Sequence, residues 1–328
     1  MPSFIRRTLA LGAIILTCTS VWAQSSPYPS RPIHLIVGYP AGGASDVAAR
    51  IVGQKLSERM GQPVIVENRA GSAGNIGADA VAKAAPDGYT LLLGTISLSV
   101  NPSLYPKMSY DPLKDLSAVS MISSTPFILL ANPKTPYKST RDLLDAARGV
   151  GSSKGGEINY ASGGSGSGSH LFTELLSSIA NIKLIHIPYK GAAPAMNDAL
   201  GNQVGVIFDN IMTALPLVRA GKLRALGVST RQRSKVAPEI PTLDESGVPG
   251  FDATAWFGLF APVGTPREIV TRLSHEVAEA VKDPVVNEKL LQLGAEPMSS
   301  TPEAFTVFFK GEVAKWAQVV RTAKVQLD

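Results

Sequence analysis

The chain has 328 residues, 45% of them apolar and 17% charged, which is long enough for one to three packed domains and too apolar for a disordered chain. Its formal charge of +5 comes from 31 basic and 26 acidic residues scattered along the sequence, without the basic stripe and interleaved aromatics of a nucleic-acid-binding surface, so no nucleic-acid partner is expected. One cysteine and four histidines exclude a disulfide framework and a Cys/His metal cage, and no cofactor is expected.

Residues 1–23 read as an export signal. Arg6 and Arg7 precede the apolar run Thr8 to Thr19, and Val21, Trp22 and Ala23 place compact residues before a cleavage site after Ala23. The apolar run is too short to span a membrane, and no later stretch reaches the roughly 18 uninterrupted apolar residues a span needs. The mature chain is therefore expected to be soluble and exported, without its only cysteine, Cys18.

From Pro32 onward, short apolar runs alternate with amphipathic stretches, the rhythm of an α/β fold around largely parallel sheets. Strands are predicted at Ile33 to Tyr39, Val64 to Glu67 and Thr90 to Gly94, with helices at Asp46 to Met60 and Asn75 to Ala85. Asn101 to Asp115, dense in Pro and Tyr, reads as a long connection. Leu116 to Ile122 and Phe127 to Ala131 read as strands leaving that first layer.

A second α/β series follows. Ser139 and Asp142 form a capping box for a helix to Arg148, and further helices are predicted at Ser169 to Ala180, Ala192 to Leu200 and Ile211 to Ala220. Strands are predicted at Ile158 to Ala161, Lys183 to Ile187, Val204 to Phe208 and Leu223 to Val228. A strand at Ala253 to Ala261 carries the chain back to the first layer, and the helical C-terminus closes over it. The expectation is two α/β lobes, residues 24–124 with 253–328 and residues 125–252, joined by two crossing segments with a ligand cleft between them.

Four Gly-rich or hydroxyl-rich loops follow predicted strands and precede helices: 39–46, 69–75, 162–170 and 188–192. Loops at the carboxyl ends of parallel strands line the usual crevice, and the helix starts behind them present unpaired N–H groups that suit an anion. Neither 38–49 nor 159–173 contains Lys or Arg, so the donors would be backbone amides and the hydroxyls of Ser45, Ser162, Ser165, Ser167 and Ser169. That set suits a carboxylate better than a phosphate. The bland readings are a tight turn at Gly42 and Gly43, a helix-start role for Asp46, a flexible linker at 162–169, and a cap at Asn75.

Stricter motifs fail on spacing. Gly163 and Gly168 have P-loop separation, but Ser169 and His170 stand where Lys and Ser/Thr are required. The run from Gly163 ends in Ser167 where a nucleophile elbow needs Gly. Gly71, Gly74 and Gly77 do not make a dinucleotide fingerprint. In the second series, Phe208, Asp209 and Asn210 end a strand where Asp209 would accept from a ligand hydroxyl or amine. Trp256 with Phe257 in the returning segment would clamp a ligand's apolar body, against a core reading for Trp256, and His34, His186 and His275 read as structural or surface residues.

The segments "RPIHLIVGYPAGGASDVAAR", "VIVENRAGSAGNIGADAVAKAAPDGYTLLLGT", "INYASGGSGSGSHLFTELL", "HIPYKGAAPAMNDALGNQV" and "IPTLDESGVPGF" resemble, in order and spacing, the tripartite tricarboxylate transporter substrate-binding proteins of the Bug receptor family. The resemblance implies a two-lobed periplasmic binding fold, a receptor rather than an enzyme, that closes on a small carboxylate, of the di- or tricarboxylate, aromatic carboxylate or amino acid type, and delivers it to membrane transporter subunits; the receptor is expected to be a monomer. It implies one jaw of Tyr39, Pro40, Ala41, Gly42, Gly43 and Asp46, an opposite jaw of Ser162, Gly163, Ser165, Gly166, Ser167 and His170, and completion of the pocket by Asn75, Thr95, Ser97, Tyr189 and Asp209. Two other readings stay open: an exported serine hydrolase using Ser167 and His170, and a receptor presenting its ligand to a sensor protein.

Overall fold

The computed structural model describes residues 28–150 and 157–322, so the export signal read at 1–23 lies outside the described residues. The chain begins with a strand β1 (Ile33–Val37), helix α1 (Ala44–Met60), β2 (Val64–Asn68), α2 (Asn75–Ala82), β3 (Thr90–Thr95), α3 (Ile96–Leu104) and β4 (Leu116–Thr125). It continues through β5 (Phe127–Ala131), α4 (Thr140–Ala147), β6 (Asn159–Ser162), α5 (Gly168–Ala180), β7 (Ile185–Pro188), α6 (Ala192–Leu200), β8 (Val206–Asn210), α7 (Ile211–Arg219) and β9 (Arg224–Val228). The last third is β10 (Ala255–Pro262), α8 (Arg267–Lys282), α9 (Pro284–Gln292), β11 (Glu296–Pro297) and α10 (Pro302–Thr322).

Two sheets result, ordered β11-β4-β10-β3-β1-β2 and β7-β6-β8-β5-β9. In each, the βα units pair in parallel and a crossing strand pairs antiparallel: β10 against β3 and β4 in the first, β5 against β8 and β9 in the second. The architecture is the expected two-lobed α/β fold. Strands β3, β5, β8 and β10 read as unbroken apolar runs because helices cover both faces of each sheet. The chain passes from the first sheet to the second at Pro126, which cannot donate to a ladder, and returns between Val228 and Ala255.

Three expectations change. Strand β4 does not leave the first layer: it runs on to Thr125 and pairs with β10 along its length, so only β5 belongs to the second sheet. The long connection expected from Asn101 begins inside helix α3, whose β-branched and Ser residues and Pro102 oppose helix by local propensity. Packing decides there, because Ile96, Val100 and Leu104 are buried in one core cluster with Trp316 of α10. Finally, α10 does not close over the first lobe alone. Phe305 and Phe309 pack on Trp256 and Phe260 of β10, while Trp316 stacks on Phe172 of α5 with ring centroids 6.0 Å apart. A helix of 21 residues spans roughly 30 Å, enough to touch both lobes. The capping box is present, with Ser139 accepting from the Asp142 amide at 3.2 Å and Asp142 from the Ser139 amide at 3.0 Å.

Candidate functional site

Five helices begin at one cavity between the two sheets. Their N-cap residues are Gly43 for α1, Thr95 for α3, Ser167 for α5, Gly191 for α6 and Asn210 for α7. All five starts contribute to the lining, through residues such as Ala44, Ile96, Gly168, Ala192 and Asn210. The cavity encloses about 80 Å³, room for several waters at roughly 10–15 Å³ each. Among the described residues no Lys, Arg or His lines it, and Asp209 is its only carboxylate. The positive end of each helix dipole lies at this cavity, although some first-turn amides are already used: in α7 Ile211 donates to the Pro126 carbonyl and Met212 to the Asn210 side chain, and in α5 His170 donates to Ser167.

The α1 start is held from behind. Gly43 caps the helix without a side-chain hydrogen bond, and Asp46 stands in the first turn. One Asp46 oxygen accepts from the Gly42 amide at 3.0 Å, the other from Asn68 Nδ2 at 3.0 Å, and Arg50 pairs with the same carboxylate at 2.9 Å. Burial pushes the Asp46 carboxyl up, but hydrogen bonds from Arg50, Gly42 and Asn68 outweigh it and hold the group below its ordinary value. Asn68 also donates to the Tyr39 carbonyl at 2.9 Å, which fixes the loop to β2. The turn lies against α2: a Cβ at Gly38 would sit 2.7 Å from Gly74 Cα, and one at Gly77 2.9 Å from Gly38 Cα. Gly74 and Gly77 are therefore a close-packing contact, and this accounts for the glycine series that fails as a nucleotide motif.

The α5 start is held from within. Gly163, Gly164 and Gly166 donate their amides to Ser169 Oγ (2.9 Å), Ser162 Oγ (3.0 Å) and His170 Nδ1 (3.0 Å). Ser167 caps the helix by accepting from the His170 amide, and its hydroxyl lies 3.0 Å from that of Ser169. Behind the loop, Ser162 Oγ is 2.6 Å from His186 Nε2, and the His186 ring stacks against both His170 and Tyr160 at centroid distances of 4.2 and 4.8 Å. His186, expected to be merely structural or superficial, is thus part of the loop's support.

Of the residues singled out from sequence, the structure brings Tyr39, Pro40, Gly43, Ser45, Thr95, Ser97, Gly163, Ser167 and Asp209 together on the cavity wall. Tyr39 donates to Ser97 Oγ at 2.6 Å, and enclosure raises its phenol above the ordinary value. The others stand off the wall. Ala41 is exposed, and Gly42 is bonded to Asp46; Ser162, Gly166 and His170 belong to the internal bonding of the α5 loop, while the Ser165 carbonyl accepts from Tyr105 of the other lobe. Asn75 neither caps its helix, which Gly74 does, nor reaches the wall; it accepts from Asn101 Nδ2 at 2.9 Å and the Tyr110 hydroxyl at 2.8 Å. Tyr189 turns back to Asp198 at 2.5 Å, and burial first, then that carboxylate, push its phenol up to about 12.

Ser169, whose hydroxyl the sequence offers as a donor, and Phe257 of the returning segment are also on the wall. Sequence reasoning missed Ala192 and Asn210 there, the latter read only as a strand end, although both are legible as helix starts after predicted strands, and Phe127, which carried no such signal. Trp256 is 2% exposed and donates to Glu312 at 3.2 Å, so its ring belongs to the core although the residue also borders the cavity. The two lobes meet over the site. The Tyr105 hydroxyl donates to the Ser165 carbonyl at 3.1 Å, and Pro40 lies so close to Gly191 that a Cβ there would be 2.7 Å from Pro40 Cγ.

A family model described as the tripartite tricarboxylate transporter family receptor matches residues 48–325. The chain is 40% identical over 325 residues to Protein BugT of Bordetella pertussis, covering 98% of each chain. Among solved structures it is similar to the periplasmic binding protein BugD, with a TM-score of 0.86 and 35% identity over 92% of this chain and 100% of that one. An R. palustris protein solved with adipate gives 0.88 and 36% over the same shares. Two lobes with helix starts converging on a cavity, and a match of this extent along the sequence, show that the chain belongs to the tripartite tricarboxylate transporter receptor family.

Proposed function

We propose that this protein is a periplasmic receptor that closes on a small carboxylate between its lobes and delivers it, as a monomer, to tripartite tricarboxylate-type membrane subunits. The observation that carries the reading is the convergence of five helix N-termini from both lobes on a cavity lined by no basic side chain. Such a site stabilises one or two negative charges by amides and hydroxyls, without the cationic side chains that phosphate sites usually add. The amides at the start of α1 with Ser45 face the hydroxyls of Ser167 and Ser169, which makes two jaws for a carboxylate. Phe127, Ile96 and Pro40 surround an apolar body. A relative of known structure holds adipate, which is the chemistry expected of this cavity.

The family places its receptors in the periplasm, and the segment 1–23 supplies the export signal in this reading. Residues 24–124 with 253–328, and 125–252, are the two closing units. The hydrolase reading lacks support: Ser167 Oγ is the α5 cap and His170 Nδ1 accepts from the Gly166 amide, so neither is set up as nucleophile and base. The test is a melting-temperature screen of malate, adipate, succinate and citrate, beside mass spectrometry of small molecules retained by the purified protein. A ligand at 100 times its dissociation constant stabilises by about 2.7 kcal/mol, a clear upward shift. No shift with any of the four, and no retained acid, would sink the carboxylate reading.

A further inference from the structure

Asp209 is a carboxyl group inside a cavity built for an anion. It ends β8, is 4% exposed, and one of its oxygens accepts from the Thr213 hydroxyl at 2.5 Å. No cationic side chain lines the cavity with it. The elements packed against β8 offer none either. Strand β5 carries no titratable residue; Tyr160 of β6 donates to Glu174 of α5, His170 of α5 accepts from Gly166, Asp198 of α6 accepts from Tyr189, and Arg219 of α7 donates to the Val236 carbonyl.

A dicarboxylate in this cavity places a second negative group beside the buried Asp209. Two carboxylates in a shared, poorly solvated site do not both ionise; one keeps a proton and donates it to the other. An ammonium group on the ligand is the other way to satisfy an ionised Asp209. Here it would lie against the start of α7, because Asp209 immediately precedes the α7 cap Asn210, and the positive helix end opposes a cation there. That helix end and the hydrogen bonds from the Asn210 amide and Thr213 also favour an ionised Asp209, and burial outweighs them.

Resting on the carboxylate reading above, we propose that Asp209 binds as a carboxylic acid, donating its hydrogen to a ligand carboxylate oxygen, so that a dicarboxylate enters the cleft together with one proton. The proton comes from solvent and no covalent bond changes. Burial already pushes the Asp209 carboxyl up to about 7, so the empty site is partly protonated at neutral pH, and a bound anion raises it further. Binding is then strongest below about pH 7 and weakens as pH rises through that value.

The experiment is calorimetric titration with the tightest binder among malate, adipate, succinate and citrate, from pH 6.5 to 8.5, in two buffers of different ionisation enthalpy. Expected is an affinity falling by up to tenfold per pH unit above about 7, with uptake approaching one proton per ligand at the upper end. Asp209→Asn is expected to show an affinity that is flat over the same range, with no proton exchange. The two-buffer measurement on the unmutated protein stands whether or not that variant folds. Binding that is independent of pH without proton uptake, or that tightens with rising pH and releases a proton, overturns the proposal while leaving the carboxylate reading intact. If none of the four acids binds at any pH the proposal fails, and the carboxylate reading fails with it where the purified protein also retains no acid.

Discussion

The loop before α1 and the loop before α5 both carry a strand into a helix start at the cavity, yet they differ in how many of their glycine amides are taken up by nearby side chains. In the α1 loop, only the Gly42 amide is drawn to a side chain of its own helix, and the anchors Asp46, Asn68 and Arg50 lie behind the turn. The amides from Gly43 onward are left to face the cavity, with no side-chain cap on the helix. In the α5 loop, three glycine amides are taken up by Ser169, Ser162 and His170, so this jaw presents hydroxyls and the first amides of the helix. A glycine-rich sequence is therefore no guide to how many amides a ligand can reach. The difference is set by which side chains return to the loop.

The sharpest way to break this comparison is at Asp46. Asp46→Ala removes a buried acceptor of three donors, and a loss of about 2–3 kcal/mol in chemical denaturation is expected, with weaker ligand binding as the α1 turn loosens. Because the folded-state value of this carboxyl lies below its ordinary 3.8, its contribution is complete above that pH and disappears as pH falls through the folded value. The difference between the two proteins should therefore shrink in acid; a difference that persists unchanged would assign Asp46 a packing role instead.

Where the jaws touch, Gly191→Ala should act on closure. Gly191 has φ +126°, and the added Cβ would meet Pro40 of the other lobe at 2.7 Å. At least a tenfold loss of affinity is expected, about 1.4 kcal/mol, together with a larger radius in small-angle scattering at saturating ligand. Scattering curves identical to those of the unmutated protein would show that the lobes close without this contact.

Gly43→Ala separates turn from site. Its φ is −83° and the nearest neighbour of an added Cβ is Pro40 O at 3.8 Å, so denaturation should change by less than about 0.5 kcal/mol. The same Cβ would crowd an anion on the α1 amides, and an affinity loss of about tenfold is expected by calorimetric titration. Unchanged affinity would make Gly43 a turn residue only. The smallest effect belongs to Ser167→Ala, which removes the α5 cap and costs about 1 kcal/mol of stability. Its binding loss should be smaller than that of Gly43→Ala if the α5 jaw shares the ligand among several hydroxyls, and a larger loss would reverse the ranking of the two jaws.

Much of the fold was legible because its signals are local. Apolar runs bounded by glycine marked β1, β3 and β8, and Ser139 with Asp142 marked the start of α4. Helix α3 was not legible, since its residues disfavour helix and only burial against α10 holds it. The site divides the same way. Loop positions next to predicted helix starts, such as Gly43, Ser45 and Ser167, do reach the wall, whereas Asn75 and Tyr189 are drawn off it by Asn101, Tyr110 and Asp198.

The sequence by itself determined the α/β order, the glycine-rich and serine-rich turns at the strand ends, and the absence of basic residues from the two main loops. These follow from periodicity and composition over a few neighbouring residues. Tertiary structure alone decided that five helix starts share one cavity, that Asp209 is buried there with a raised carboxyl, and that α10 packs on both lobes. Each of these depends on partners brought together by the pairing of strands far apart in the chain, and the hydrogen bonds and burial that set a side chain's direction and charge exist only after that pairing is made.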